Sequence, residues 1–482
     1  MTASRPRRPA RPPDGRRGAG SAAAGSPPDT PDPRRTALAL LTRLDREPFD
    51  LSAALDMAFR EGAWDSRDRG LAAELTRGTA RWRHRLDYAI RQRTGRPLKD
   101  LDRSVRTLLR LGAYQLLFLS RIPASAAVNE TVHLAGDRRR RDFVNGVLRA
   151  LAREGEPPLP PGGVERLAVE WSLPRWLAER WWQQHGPEGA ALRAENAART
   201  PALTLRLTAS DSSPGQREDY IARCAAMGVA AEAVEFLPDA VRLPDAAPVA
   251  DLPGYAAGEF VVQDAASQLA GLLGGARPGE QVLDACAAPG GKCAGLAAAV
   301  GPGGSVLAVE RDAGRIRRLS INLERLRLKQ VTVLEADAAS LPPEVARQTF
   351  DRVFLDAPCS GLGTLARHPE GKWWKSVDGI RACADSQAAL LAHLAPRVRP
   401  GGSLVYAVCT GEPEETIQPV AVFLATHPEF HTVPAGEVFA ALGERGPGDV
   451  AAPWVTPNGE LDTHGNRVGM DGFFAVHLRR KS

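Results

Sequence analysis

Between residues 35 and 153, apolar residues recur at helical spacing. Ala37, Leu38, Leu40, Leu41 and Leu44 open the run, and Leu71, Leu75 and Ala80 continue it. Val105 to Leu117 is strongly apolar, Pro123 breaks the chain, Asn129 to Leu134 resumes it, and Asp142 to Arg149 closes the region. This pattern predicts an all-α bundle over residues 35–155. Glu154 to Gly163 is rich in Pro and Gly and reads as a linker. Residues 164–254 predict a small α+β domain. It opens with a tryptophan-rich helical stretch (Trp171, Trp176, Trp181, Trp182), suited either to packing between domains or to stacking on bases, and Thr204 to Thr208 then alternates like a short strand. From residue 255 strands and helices alternate. The strands fall at Gln281–Cys286, Ser305–Glu310, Val331–Ala336, Phe350–Asp356 and Gly401–Cys409, with a late one at Phe473–Leu478. Helices are expected through Val300 and at Arg311–Leu326, Gln387–Val398 and Glu414–Thr426. Such alternation predicts an α/β, Rossmann-like domain with a mainly parallel sheet covered on both faces.

Composition adds bounds. A chain of 482 residues has room for about three domains. The pI is about 9.0 but the net charge only +5, which suggests a basic face rather than a basic body. A phosphate-rich partner and an ordinary, slightly basic enzyme fit this equally. Residues 1–34, rich in Arg, Pro, Gly and Ala, lack the apolar core of a signal peptide and read as a disordered basic arm. Arg138 to Arg141 form either a solvated face or a contact with an RNA backbone. The six cysteines include no C-x-x-C pair, so free thiols in a reducing cytoplasm are expected, with no metal. No apolar run approaches the roughly 20 residues of a membrane span. A cytoplasmic monomer is expected.

The chemistry gathers at strand ends. Asp356-Ala357-Pro358-Cys359-Ser360-Gly361 and Cys409 each close an apolar strand, so two thiols and a carboxylate are expected at one cleft, on the ligand-binding side of the sheet. A thiolate is the kind of nucleophile that a pyrimidine ring requires. Asp284-Ala285-Cys286-Ala287-Ala288-Pro289-Gly290-Gly291-Lys292 follows the first strand and opens a helix. Its small residues let a ligand approach the backbone closely. It is neither G-x-x-x-x-G-K-[ST] nor G-x-G-x-x-G, which argues against a nucleoside triphosphate and a dinucleotide. Glu310 ends the second strand, where a carboxylate can hold ribose hydroxyls, and Asp337 follows the third, in reach of an adenine amino group. Acids there suit an adenosine without a phosphate chain, as in S-adenosylmethionine, although either acid alone could be a helix cap.

These motifs, with Phe260 to Gln268 and Gly469 to Phe474, resemble the RsmB/NOP family of RNA cytosine-C5 methyltransferases. Leu111 to Leu116, Ala127 to Glu130 and Phe143 to Arg149 make the helical region similar to NusB. The resemblance implies a class I methyltransferase domain over residues 255–482, behind a NusB-like RNA-binding domain. It implies S-adenosylmethionine as methyl donor and a cytosine of small-subunit (16S) ribosomal RNA as target. Donor binding would fall to Cys286, Ala287, Ala288, Pro289, Gly290, Gly291, Lys292, Glu310, Asp337 and Asp356. Cys409 would be the nucleophile and Cys359 would serve product release, with Asp356 stabilising charge in the adduct. Cys293, Val408, Thr410 and Thr416 depart from the family pattern and bear on fine geometry and rate. Arg367, His368, Lys372, Trp373 and Trp374 interleave basic and aromatic residues, an expected clamp on single-stranded RNA. Transfer RNA or large-subunit RNA as substrate stays open, as does a non-catalytic RNA-binding assembly factor.

Overall fold

The computed structural model describes residues 31–208, 215–245 and 248–482; residues 1–30, most of the expected basic arm, lie outside them. Seven helices form the first unit: Pro33–Leu44, Leu51–Glu61, Ser66–Arg81, Arg83–Thr94, Arg103–Phe118, Ala124–His133 and Arg138–Glu154. Five of them start on an aspartate (Asp32, Asp50, Asp65, Asp102, Asp137) whose carboxylate accepts from free backbone N–H groups of the first turn. With that cap, and Pro33 at the first helical position, the first helix begins inside the segment read as an arm. Leu55, Leu75, Leu86, Ile90, Leu109 and Leu148 fill the core. Arg110 crosses it to reach Asp87 at 2.6 Å and Asp45 at 3.0 Å.

Helices Gly163–Glu170 and Arg175–Ala198 follow, the second kinked at Gly186, whose φ of 67° precedes Pro187. Trp181 is buried, and Trp171, Trp176 and Trp182 pack on the cluster that also holds Leu362, Leu365 and Ile380. Of the two uses foreseen for these tryptophans, the structure shows packing between domains.

The small domain pairs β1 (Leu203–Leu207), β2 (Glu232–Ala233), β3 (Ala240–Leu243) and β4 (Phe260–Val262) antiparallel in the order β2-β3-β1-β4. Strand β4 lies beyond residue 254, where the sequence pattern placed the boundary. It pairs with β1 because Phe260 fills this domain's core beside Tyr220 and Leu207.

The third unit contains β5 (Gln281–Asp284), β6 (Ser305–Glu310), β7 (Val331–Glu335), β8 (Phe350–Asp356), β9 (Val398–Val408), β10 (Phe430–Val433), β11 (Leu461–Asp462) and β12 (Phe474–Arg480). Their order is β10-β12-β9-β8-β5-β6-β7, with β11 on β12. Strands β5 to β9 are parallel to one another, and β12 runs antiparallel against β9. Helices Gly291–Val300, Ala313–Arg325, Val377–Leu394 and Ile417–Thr426 connect or flank them. The central strands are buried on both faces, as Val353, Phe354, Leu355 and Leu404 to Val408 show. This is the expected Rossmann-like sheet.

Candidate active site

Asp356 sits opposite Ala407 in the β8–β9 register, so both strands release the chain at the same edge. There the sulfurs of Cys359 and Cys409 lie 3.3 Å apart, both partly exposed. The Gly363 N–H donates to the Cys409 carbonyl (2.9 Å), and the Gly472 N–H donates to the Gly363 carbonyl (2.8 Å). A Cβ at Gly363 would overlap the Gly472 carbonyl oxygen, so three backbone segments meet where only glycine fits. Lys292, buried, reaches across with Nζ 2.7 Å from Asp356 Oδ2 and 4.7 Å from the centre of the Phe473 ring.

Sequence reasoning missed what stands behind the thiols. Glu415, fully buried, accepts from the Ser360 N–H (2.7 Å), the Ser360 hydroxyl (2.5 Å) and Gln387 (3.1 Å). It fixes the turn just after Cys359. It lies in the acidic run from Glu412 to Glu415, where nothing in the local sequence marks one carboxylate as buried. The two cysteines differ electrostatically. The hydrogen bond between them lowers the Cys409 thiol below its ordinary value, with further help from Lys292 against burial and the Asp356 charge. The same hydrogen bond, then burial, raises Cys359. The pair therefore favours a thiolate at 409 facing a protonated donor at 359.

The glycine turn forms the adjoining wall. Gly290 has φ 107°, and a Cβ there would come 2.8 Å from Leu319 Cδ1. The Ala287 N–H donates to the Val309 carbonyl (3.0 Å), joining the turn to β6. Glu310 Oε1 accepts from the N–H groups of Arg311 (3.0 Å) and Asp312 (3.1 Å). Its buried Oε2 lies 3.3 Å from Arg315 yet makes no hydrogen bond among the described residues. Asp284 Oδ2 is likewise buried and unpartnered, and burial plus the nearby Asp356 charge pushes its carboxyl up to about 7. Buried acceptors are normally satisfied. Two orphaned ones flanking a glycine turn suit a ligand rich in hydroxyl and amino donors, such as the ribose and amino acid ends of S-adenosylmethionine. Asp337, partly exposed, accepts from the Ala339 N–H (2.9 Å) and lies 3.6 Å from the Arg311 guanidinium. Burial pushes the Cys286 thiol up to about 12 and raises Cys293 and Cys224 as well, so these stay protonated and unreactive.

The expected RNA clamp is largely something else. Arg367 joins Asp264 (2.6 Å) to Asp471 (2.9 Å), tying the start of helix Ala265–Leu272 to the segment before β12. Lys372 is fully buried and donates to the carbonyls of Arg81 (2.9 Å) and Ser172 (3.0 Å), while the Trp373 indole donates to that of Ala80 (2.8 Å). The last carbonyls of helix Ser66–Arg81 lack intrahelical partners, and these donors satisfy them. Of the five residues, His368 and Trp374 alone are exposed.

The comparisons fit this arrangement. Residues 273–479 match the family described as 16S rRNA methyltransferase RsmB/F, residues 31–153 the NusB family, and residues 173–250 the ferredoxin-like domain of RsmF/B-like methyltransferases. The ribosomal RNA small subunit methyltransferase B of Pseudomonas putida is 39% identical over 423 residues, 86% of this chain and 91% of that protein. The chain belongs to the RsmB family of ribosomal RNA small subunit methyltransferases. A probable RsmB-family enzyme of Bacillus subtilis is 33% identical over 453 residues, 93% of this chain and 98% of its own. The crystal structure of PH0851 shares the fold, with a TM-score of 0.76 at 24% identity over 94% of this chain and 99% of that one. The RsmB-family assignment thus spans the helical, small and catalytic domains together.

Proposed function

We propose that this RsmB-family chain methylates C5 of a cytosine in 16S ribosomal RNA through a covalent adduct between Cys409 and C6 of the base. The observation that carries the reading is the contact of two unequal thiols, 3.3 Å apart, at one strand edge beside the Lys292–Asp356 pair. Cytosine C5 is a weak nucleophile. Attack of the Cys409 thiolate on C6 moves the ring electrons to C5 and N3, and Asp356, sharing a proton with N3, stabilises the charge that develops there. S-adenosylmethionine, held at the glycine turn with Glu310 on its ribose, supplies the methyl group to C5. Once the Cys409 sulfur is tied up in the adduct and the Cys359 thiol has released its own proton to solvent, Cys359 takes the C5 proton; the C5–H electrons restore the C5–C6 double bond, the C6–S bond breaks and its electron pair returns to Cys409. The base must leave its stack to meet both sulfurs, so a single-stranded or loop segment is the substrate.

Tritium transfer from S-adenosylmethionine to 16S RNA isolated from a deletion strain, followed by bisulfite mapping, tests the reading. One methylated cytosine is expected. Transfer to transfer RNA alone, or no transfer, overturns it. With 5-fluorocytosine-containing RNA, the wild type and Cys359→Ser should be captured covalently and Cys409→Ser should not.

A further inference from the structure

Beside Cys359, an open hollow of about 410 Å³ lies between the loop after β8 and the NusB-like domain. Phe49 and Asp50 of the helical bundle form one wall, and His368, Glu370 and Trp374 the other. Its volume is that of a small-ligand site. Two observations mark it as more than a gap. Glu370 is 7% exposed; its Oε1 accepts from the Leu51 N–H (3.2 Å), but its Oε2 is buried without a partner among the described residues. Trp374, by contrast, is 39% exposed in a loop whose other tryptophan is tucked into the domain junction. An unsatisfied carboxylate oxygen beside an open aromatic face is what a nucleobase needs: an acceptor for an amino group and a surface to stack on.

We propose that this hollow is the subsite for the nucleotide adjacent to the target cytosine, with its base stacked on Trp374 and its exocyclic amino group donating to Glu370 Oε2. The inference rests on the RNA-methylating reading and adds a base preference to it. Adenine N6 and cytosine N4 present an amino donor where guanine O6 and uracil O4 present a carbonyl, which leaves the carboxylate unpaired. Because Asp50 belongs to the helical bundle, both domains contribute to the reading of one base.

The test is steady-state methylation of short single-stranded RNAs differing only in the nucleotide on either side of the target. On one side, replacing the amino-bearing base by uracil should lower kcat/KM about tenfold or more. Glu370→Gln should erase that preference, because an amide can face either base. Trp374→Ala should raise KM about tenfold for every base, with little change in kcat. Indifference of the wild type to both neighbours, or a Trp374→Ala enzyme with unchanged KM, overturns the proposal while leaving the methylation reading intact; absence of methylation on all RNAs overturns the reading itself. The carboxylate oxygens of Asp50 and Glu370 and a ring nitrogen of His368 also lie within 4.8 Å of one another, a spacing compatible with a metal ion. A base preference abolished by EDTA and restored by Zn²⁺ would assign the trio to a metal and overturn the proposal.

Discussion

A thiol becomes useful as a nucleophile when something nearby prefers it ionised. For Cys409, the proposed nucleophile, that neighbour is Cys359, whose sulfur lies 3.3 Å away; the hydrogen bond between them lowers the Cys409 titration below the ordinary thiol value. Single-turnover capture of 5-fluorocytosine RNA should therefore gain rate with pH along an acid limb lying below the ordinary thiol pKa of about 8.5. In Cys359→Ala that limb should move to higher pH, because the thiolate loses its hydrogen-bond donor; an unmoved limb would refute the coupling. Asp284 carries a second titration. Its folded-state carboxyl is raised from 3.8 to about 7, so it contributes stability below pH 4 that is lost as pH rises to about 7. Urea unfolding without donor should show Asp284→Asn gaining on the wild type across that window, by up to about 4 kcal/mol, and no further above it. The sequence placed Asp356, Cys359 and Cys409 correctly at strand ends, because an apolar run that stops at a polar turn is a local signal. It could not reveal their spacing or the role of Glu415, since both depend on the register of β8 against β9.

Among the elements, the strand–helix alternation of the catalytic domain was legible from period and turn chemistry, with strand ends displaced by a few residues and one helix start by ten. The strand expected to end at Cys286 stops at Asp284, and the helix expected from Gln387 begins at Val377. What local pattern could not give was membership. Strand β4 reads like any short apolar run, and its pairing with β1 is a nonlocal choice. The loop from Arg367 to Trp374 was misjudged for a similar reason, because a basic–aromatic run has one composition whether it faces RNA or seals a domain junction. Arg367 provides the check. Arg367→Ala would leave the Asp264 and Asp471 carboxylates buried together, at a cost of roughly 3–5 kcal/mol. Burial and Asp264 already push the Asp471 carboxyl up to about 7, so the loss should be larger above pH 7 and smaller in acid, where Asp471 is protonated. Thermal unfolding at pH 5 and pH 8 compares the two.

Across the whole molecule, Lys372 is the pivot. Burial lowers its ammonium to about 7, and its hydrogen bonds run to the carbonyls of Arg81, in the bundle, and Ser172, after the linker. Lys372→Met should uncouple the units. Calorimetry is expected to show one transition for the wild type and two for the variant, and proteolysis between Glu154 and Gly163 should accelerate. A single, merely shifted transition would show that the apolar contacts alone unite them. The chain length and the linker composition signalled separate domains; nothing in them signalled that a lysine of the loop after Cys359 would serve as the rivet. Because the loop carrying Cys359 hangs from a helix of the bundle while the glycine turn hangs from β5, wear in the two halves of the machine has different symptoms. On the proposed chemistry, a heat-sensitive defect among the NusB-like helices would blunt the sulfur step first and leave the grip on the methyl donor almost untouched.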